Sequence, residues 1–139
     1  MHMRLTTRAR YGVRLMADLS QHYGQGPVFL GDVARRQDMS EKYLGNIVSA
    51  LKAAGMVTAR RGVHGGYSLA KRPERISLKD IVCVLEKRAH LTGCIHSRRS
   101  CPRSSYCQVR NIWARVERSF YSSLASITLR DVNRKCRIK

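Results

Sequence analysis

The sequence predicts a mainly α-helical fold carrying one small β-hairpin wing, followed by a long C-terminal helix. Three observations predict it. Apolar residues recur at three- and four-residue steps through most of the chain. That pattern is interrupted by two short extended runs around a glycine-rich turn. It then resumes in a stripe of about six turns near the C-terminus. Three helices followed directly by a hairpin is the order of a winged helix-turn-helix.

The first helix follows the stripe Leu5, Ala9, Val13, Met16, Leu19 and Tyr23, and Arg4, Arg8, Arg10 and Arg14 make it strongly basic. Gly24, Gly26 and Pro27 end it. A short helix follows over Leu30 to Gln37, with Val33 and Ala34 toward the core, and Asp38 and Met39 form a tight connection. Ser40 N-caps a third helix, Glu41 complements its dipole, and Tyr43, Leu44, Ile47, Val48 and Leu51 form its stripe up to a C-terminal cap at Gly55. Met56 to Arg61 and Tyr67 to Leu69 are the strands, joined by Gly62-Val63-His64-Gly65-Gly66.

After Pro73 a helix begins near Ser77, with Leu78, Ile81, Val82 and Leu85 on one side, and ends before Gly93, where a cysteine-bearing loop starts. From about Ser105 to Ile127 the long helix carries Val109, Ile112, Trp113, Val116, Phe120, Leu124 and Ile127. So long a stripe exceeds what a small domain can cover and predicts a dimerisation helix. The expected organisation is a DNA-binding domain over residues 3–75, a connecting helix with the cysteine loop over 76–104, and a dimerisation helix with a C-terminal tail over 105–139.

Length and charge narrow the function. The 139 residues suit one compact domain with an extension. The 27 lysines and arginines against nine acids give a formal charge of +18, which calls for a polyanionic partner. Nucleic acid and an acidic membrane surface both fit that charge, with nucleic acid the better fit. No apolar run reaches the roughly 18 residues of a membrane span and no signal-peptide core opens the chain, so the expected location is cytoplasmic, with no membrane partner. In that reducing compartment, five cysteines point to metal or redox chemistry rather than a disulfide framework. No nucleophile–base pair, phosphate loop or carboxylate dyad is present, so no enzyme and no catalytic residue is expected.

The third helix fits the major groove, and its solvent side offers Ser40, Lys42, Asn46, Ser49 and Lys52. Asn pairs with adenine and Lys donates to guanine, so Asn46 and Lys42 are the expected base readers. Gly45 costs about 1 kcal/mol of helix propensity relative to Ala. It marks either a close approach of DNA or a merely tolerated surface glycine. In the wing, Arg60 and Arg61 precede the turn, and Lys71, Arg72 and Arg75 follow it against the single acid Glu74. Contacts there should be to phosphate and the minor groove. The expected DNA-binding set is Ser40, Lys42, Tyr43, Asn46 and Ser49, with Arg60, Arg61, Gly62, His64, Gly65 and Gly66. The expected target is a palindromic operator in double-stranded DNA, bound by a homodimer.

Cys94, Cys101 and Cys107 share one loop, with six and then five residues between neighbours. Arg98, Arg99 and Arg103 accompany them with no acid, which favours thiolates. Thiolates bind iron–sulfur clusters and structural zinc alike, and the absence of a CxxC pair lowers zinc.

The opening Met3-Arg4-Leu5-Thr6, the Ser40-x-x-Tyr43-Leu44 start of the third helix and Arg61-Gly-x-x-Gly-Gly-Tyr67 in the wing resemble motifs of the Rrf2 family of winged-helix regulators, which includes the IscR, NsrR and RirA types. The likeness runs from Met3 through the long helix. It implies a transcription regulator, acting as a repressor, whose DNA affinity follows redox, nitric oxide or iron and cluster status. It also implies an iron–sulfur cluster, 2Fe-2S or 4Fe-4S, on Cys94, Cys101 and Cys107.

Two departures stand out. Arg110 occupies the place of the histidine ligand of IscR-like members, and Arg8 and Arg10 stand where other relatives offer an acid from the partner's first helix. The fourth position is left to His96, His90, a small external ligand or solvent. Cys83 reads as a packed residue, and Cys136 has no assigned role. The alternatives are a zinc or thiol-switch loop, or a regulatory subunit that binds a metabolic enzyme.

Overall fold

A computed structural model describes residues 4–86 and 90–135 of the chain. Met3 of the opening motif and Cys136 lie outside the described residues. The order is α1 (Thr7–Gln21), α2 (Leu30–Gln37), α3 (Glu41–Ala53), β1 (Val57–Arg60), β2 (Gly66–Leu69), α4 (Leu78–Glu86), the single turn α5 (Gly93–His96), α6 (Gln108–Ala125) and α7 (Leu129–Lys135). Short 3-10 turns lie at Pro73–Arg75 and Arg98–Ser100.

Local chemistry sets the boundaries. Thr6 caps α1 by accepting from Ala9 N at 3.1 Å, so the helix starts after Leu5, and both Leu5 and Tyr23 lie outside it and exposed. Asp38, in the left-handed region at φ 53°, makes the tight link to Ser40, which caps α3 by accepting from Tyr43 N at 3.3 Å. Gly55, at φ 76°, follows the end of α3.

The inward faces of α1, α2, α3 and α4 meet in one core containing Leu15, Met16, Leu19, Val33, Leu44, Ile47, Val48, Leu51 and Ile81, all essentially inaccessible. β1 and β2 pair antiparallel from Val57 opposite Leu69 to Arg60 opposite Gly66. Val28 adds a bridge to Tyr67, with both backbone bonds at 2.8 Å. A Cβ at Gly66, where φ is 152°, would strike the Val28 carbonyl. Glycine is therefore what lets the hairpin dock against the segment leading into α2.

The basic C-terminal segment reads from its charge as a tail, yet it contains α7. Leu129 is fully buried, its N–H bonds the Ile76 carbonyl at 3.0 Å, and Ile127 O accepts from Leu78 N at 2.9 Å. Asn133 Nδ2 donates to Ser20 Oγ at 2.6 Å, tying α7 to α1. One buried leucine and a short bridge between Ser77 and Thr128 thus return the chain end to the first core.

α1 and α2 are joined by a carboxylate. Asp18 is 2% exposed and accepts from Arg36 Nε and Nη2 at 3.0 and 2.7 Å and from Gln37 Nε2 at 3.0 Å. Burial works against its charge. The bonds from Arg36 and Gln37, with the charges of Arg36 and His22, outweigh that and hold the carboxyl below its usual value.

Asp18→Ala should lose about 3 kcal/mol, the low end for breaking a buried pair, because Arg36 remains 41% exposed. A lowered carboxyl value means the contribution is full above the unfolded value of about 3.9 and is lost as pH falls through the folded value. Denaturant unfolding of wild type and variant should therefore converge below about pH 4. A gap that persists at low pH would contradict this account.

Candidate nucleic-acid interface and cysteine loop

α3 buries Leu44, Ile47, Val48 and Leu51 and leaves Lys42, Asn46 and Ser49 exposed at steps of four and three residues, on one face. Ser40 is exposed, with its hydroxyl accepting the capping bond. Tyr43 is half-buried and meets Tyr11 edge-on at 5.8 Å, so its ring also serves packing. Arg14 covers the other side of Tyr11 at 5.5 Å and donates to the Gln37 carbonyl. A Cβ at Gly45 would meet nothing within 4 Å. The protein's own packing therefore gives no reason for glycine there.

The wing follows α3 directly. Arg60, Arg61, Gly62 and His64 are exposed, and Val63 at the tip is 98% exposed. Gly65 N donates to Gly62 O at 3.0 Å to close the turn, so Gly62, Gly65 and Gly66 shape the hairpin whatever else they touch. Arg60 and His64 line, with His22, Phe29 and Arg36, an open groove of about 530 Å³ between wing and α2. Its acid Asp32 is paired with Arg35.

The cysteine loop lies between α4 and α6. Cys94 sits in α5, Cys101 ends the second 3-10 turn and Cys107 is the N-cap position of α6, and all three are half-buried free thiols. Cys94 Sγ lies 3.0 Å from Thr92 Oγ1, and Ser104 Oγ donates to the Cys101 carbonyl at 2.8 Å. Three thiols are the right donors for a soft metal or an iron–sulfur cluster. The arrangement does not complete such a site, because no three His, Cys, Asp or Glu side chains among the described residues gather to hold a metal ion.

The candidates for a fourth ligand are distributed unexpectedly. Arg110 Nε donates to the Cys94 carbonyl at 3.0 Å. His90 Nδ1 lies 2.9 Å from Glu117 Oε1, and Leu91 N donates to Glu117 Oε2 at 2.9 Å. The His96 ring lies tilted against that of His90, with centroids 4.9 Å apart. Arg10 donates to Thr7 Oγ1 at 3.2 Å. Sequence reasoning missed Glu117, and the available signal was that it is the lone acid of α6, directly after Val116 of the apolar stripe.

Cys83 is half-buried in a groove between α4 and α6, with Glu117 and Tyr121 among its lining. Burial, followed by Cys83, Glu117 and Glu86 nearby, raises the Tyr121 hydroxyl above its usual value. On the outer side of α6, Val109, Ile112, Trp113, Val116 and Phe120 are all exposed. No helix among the described residues is long and apolar enough to cross a membrane.

The family model described as "Rrf2: Iron-dependent Transcriptional regulator" matches residues 5–135. "Protein rrf2" of Nitratidesulfovibrio vulgaris is 39% identical over 132 residues, spanning 95% of this chain and 88% of that protein. The structure of CymR, the global cysteine regulator of B. subtilis, superposes with a TM-score of 0.80 at 31% identity, covering 96% of this chain and 98% of the other. IscR of T. potens superposes with a TM-score of 0.79 at 36% identity, covering 99% and 90%. With the wing, the capped third helix and the long α6 all in place, the chain belongs to the Rrf2 family of DNA-binding transcriptional regulators and is not an enzyme.

Proposed function

We propose that the chain is a cytoplasmic, sequence-specific repressor that binds a palindromic operator as a homodimer. The observation that carries this reading is the exposed face Lys42, Asn46 and Ser49 on a helix followed directly by a wing bearing Arg60 and Arg61, in a chain of charge +18. α3 enters the major groove, where Asn46 and Lys42 read base edges while Ser40, Tyr43 and Ser49 contact edges or backbone. Arg60, Arg61 and His64 contact phosphate and the minor groove, with Gly62, Gly65 and Gly66 letting the wing backbone come close. The exposed apolar side of α6 supplies the partner interface, which sets the spacing of the two half-sites.

Cys94, Cys101 and Cys107 hold an iron–sulfur cluster, 2Fe-2S or 4Fe-4S, in this reading. The donor chemistry and the family's description as iron-dependent support it. When bound, such a group supplies a reversible response to redox state, nitric oxide or iron supply. The chain's own part is to present three thiols from a loop fastened to α6, so that a change in the loop reaches the dimer helix and the two wings. A thiol switch without metal is the second reading. It is favoured by the three free, ungathered thiols, and CymR among the relatives is the global cysteine regulator of B. subtilis.

Four measurements bear on these assignments. Asn46→Ala or Lys42→Ala should cost about 1–3 kcal/mol of operator binding and relax preference at one base pair, whereas Arg61→Ala should weaken all sequences alike and lower the salt slope by about 1. Unchanged operator titrations for all three would remove the proposed interface. Gly45→Ala should stabilise the free protein by about 1 kcal/mol and yet weaken operator binding, and improved folding with full affinity would mark Gly45 as a tolerated surface residue. Trp113→Asp with Phe120→Asp should give monomers in sedimentation, and a persisting dimer would place the interface elsewhere. Protein purified without air should contain iron and acid-labile sulfide and absorb visible light, and its absence would leave the thiol switch.

A further inference from the structure

Glu117 is the one buried residue of the 18-residue helix α6, whose large apolar side chains are mostly exposed. The helix thus meets the cysteine loop at a buried carboxylate. Burying a carboxylate is costly unless donors surround it. Two do so here: His90 Nδ1 and the Leu91 N–H, one on each oxygen at 2.9 Å. Arg110 stands seven residues earlier, about two turns along the same face, and donates to the Cys94 carbonyl at 3.0 Å. These bonds grip the loop at both ends of the short arm from His90 to Cys94. Neither side chain touches a sulfur in these bonds.

We propose that Glu117 and Arg110 form a two-point clasp that closes this arm on α6 and sets the accessibility of the Cys94 thiol. They are positioning residues, acting through His90, Leu91 and the Cys94 backbone. This also accounts for the arginine at the place of the expected fourth ligand, since its guanidinium holds the first cysteine from behind. The inference rests on the loop being the responsive part of the regulator. It does not depend on which group, cluster or bare thiol, makes it responsive.

The test is the rate at which N-ethylmaleimide labels each cysteine of the full-length, chelator-treated protein, followed by peptide mass spectrometry. Glu117→Leu removes both bonds and refills the site with an apolar side chain, leaving the Leu91 N–H and His90 Nδ1 without their acceptor; thermal stability should fall, so labelling is compared well below the unfolding transition of each variant. Arg110→Met removes the other point at a half-buried site. Each should speed labelling of Cys94 about tenfold, the loss expected for a charge-assisted hydrogen bond that closes a local opening. Cys83, Cys101 and Cys107 should stay within about twofold, and the double variant should exceed the faster single by no more than about twofold, because either point alone opens the arm. Arg110→Lys, which keeps a donor, should restore slow labelling.

An unchanged Cys94 rate in either single variant, or equal acceleration of Cys83, Cys94, Cys101 and Cys107, would overturn the clasp. Because the protein is metal-free in this experiment, a failed clasp leaves the iron–sulfur reading standing. Absence of iron from anaerobic protein likewise leaves the labelling result intact.

Discussion

The helical half formed by α1 to α4 is organised around the contact of Asp18 with Arg36 and Gln37. α2 is only eight residues long and buries just Val33 and Ala34, too little apolar surface to define its angle against α1. Hydrogen bonds to a buried carboxylate have direction, which apolar contact lacks. Three come from the adjacent residues Arg36 and Gln37 at the end of α2, and Arg14 grips the Gln37 carbonyl from the α1 side. The end of α2 is thereby fixed just before Asp38 turns the chain into α3. The orientation of α3 follows from a polar joint one turn upstream of it.

The two halves of the chain are built on different principles. α1 to α4, with α7 returned to them by Leu129, share a core of fully buried aliphatic side chains. α6 contributes no large buried apolar residue to that core and keeps Trp113 and Phe120 in solvent. An isolated helix with an exposed apolar stripe is poorly stabilised in water. The first half is packed within one chain, while α6 leaves its apolar stripe exposed. The polar Glu117 contact lies on the buried side of the helix and leaves that stripe uncovered.

Much of this was legible in the sequence, for reasons that differ by element. α2 was readable to its bounds because Gly24, Gly26 and Pro27 stop α1 and a tight turn precedes Ser40. The wing was readable because its glycines fall where the hairpin needs them, Gly66 against Val28 above all. α7 was hidden because its arginines describe its solvent side, while a single leucine carries its burial. Glu117 was hidden for a related reason, since an acid in a helical stripe ordinarily marks the solvated face and only the fold of the loop brings His90 and Leu91 to it. The Rrf2 motifs located the cysteine loop but not its arrangement, which depends on backbone bonds that spacing does not encode.

The loop shows how donor chemistry and donor placement can diverge. Three thiols and a basic surround satisfy the chemical requirement for a sulfur-ligated centre, yet each sulfur begins from a different small element: α5, a 3-10 turn and the N-cap position of α6. α5 and the 3-10 turn are single turns held by local hydrogen bonds, Ser97 N to Gly93 O and Ser100 N to Ser97 O among them, with side-chain bonds between Ser104 and Cys101 and between Thr92 and Cys94. Moving one sulfur toward the others therefore costs a few weak bonds rather than a packed core. A segment drawn from the low-stability end of a fold is the kind that switches. Its side-chain connection to α6 runs through Arg110 and Glu117, so a rearrangement of the loop has a narrow and directed path to that helix.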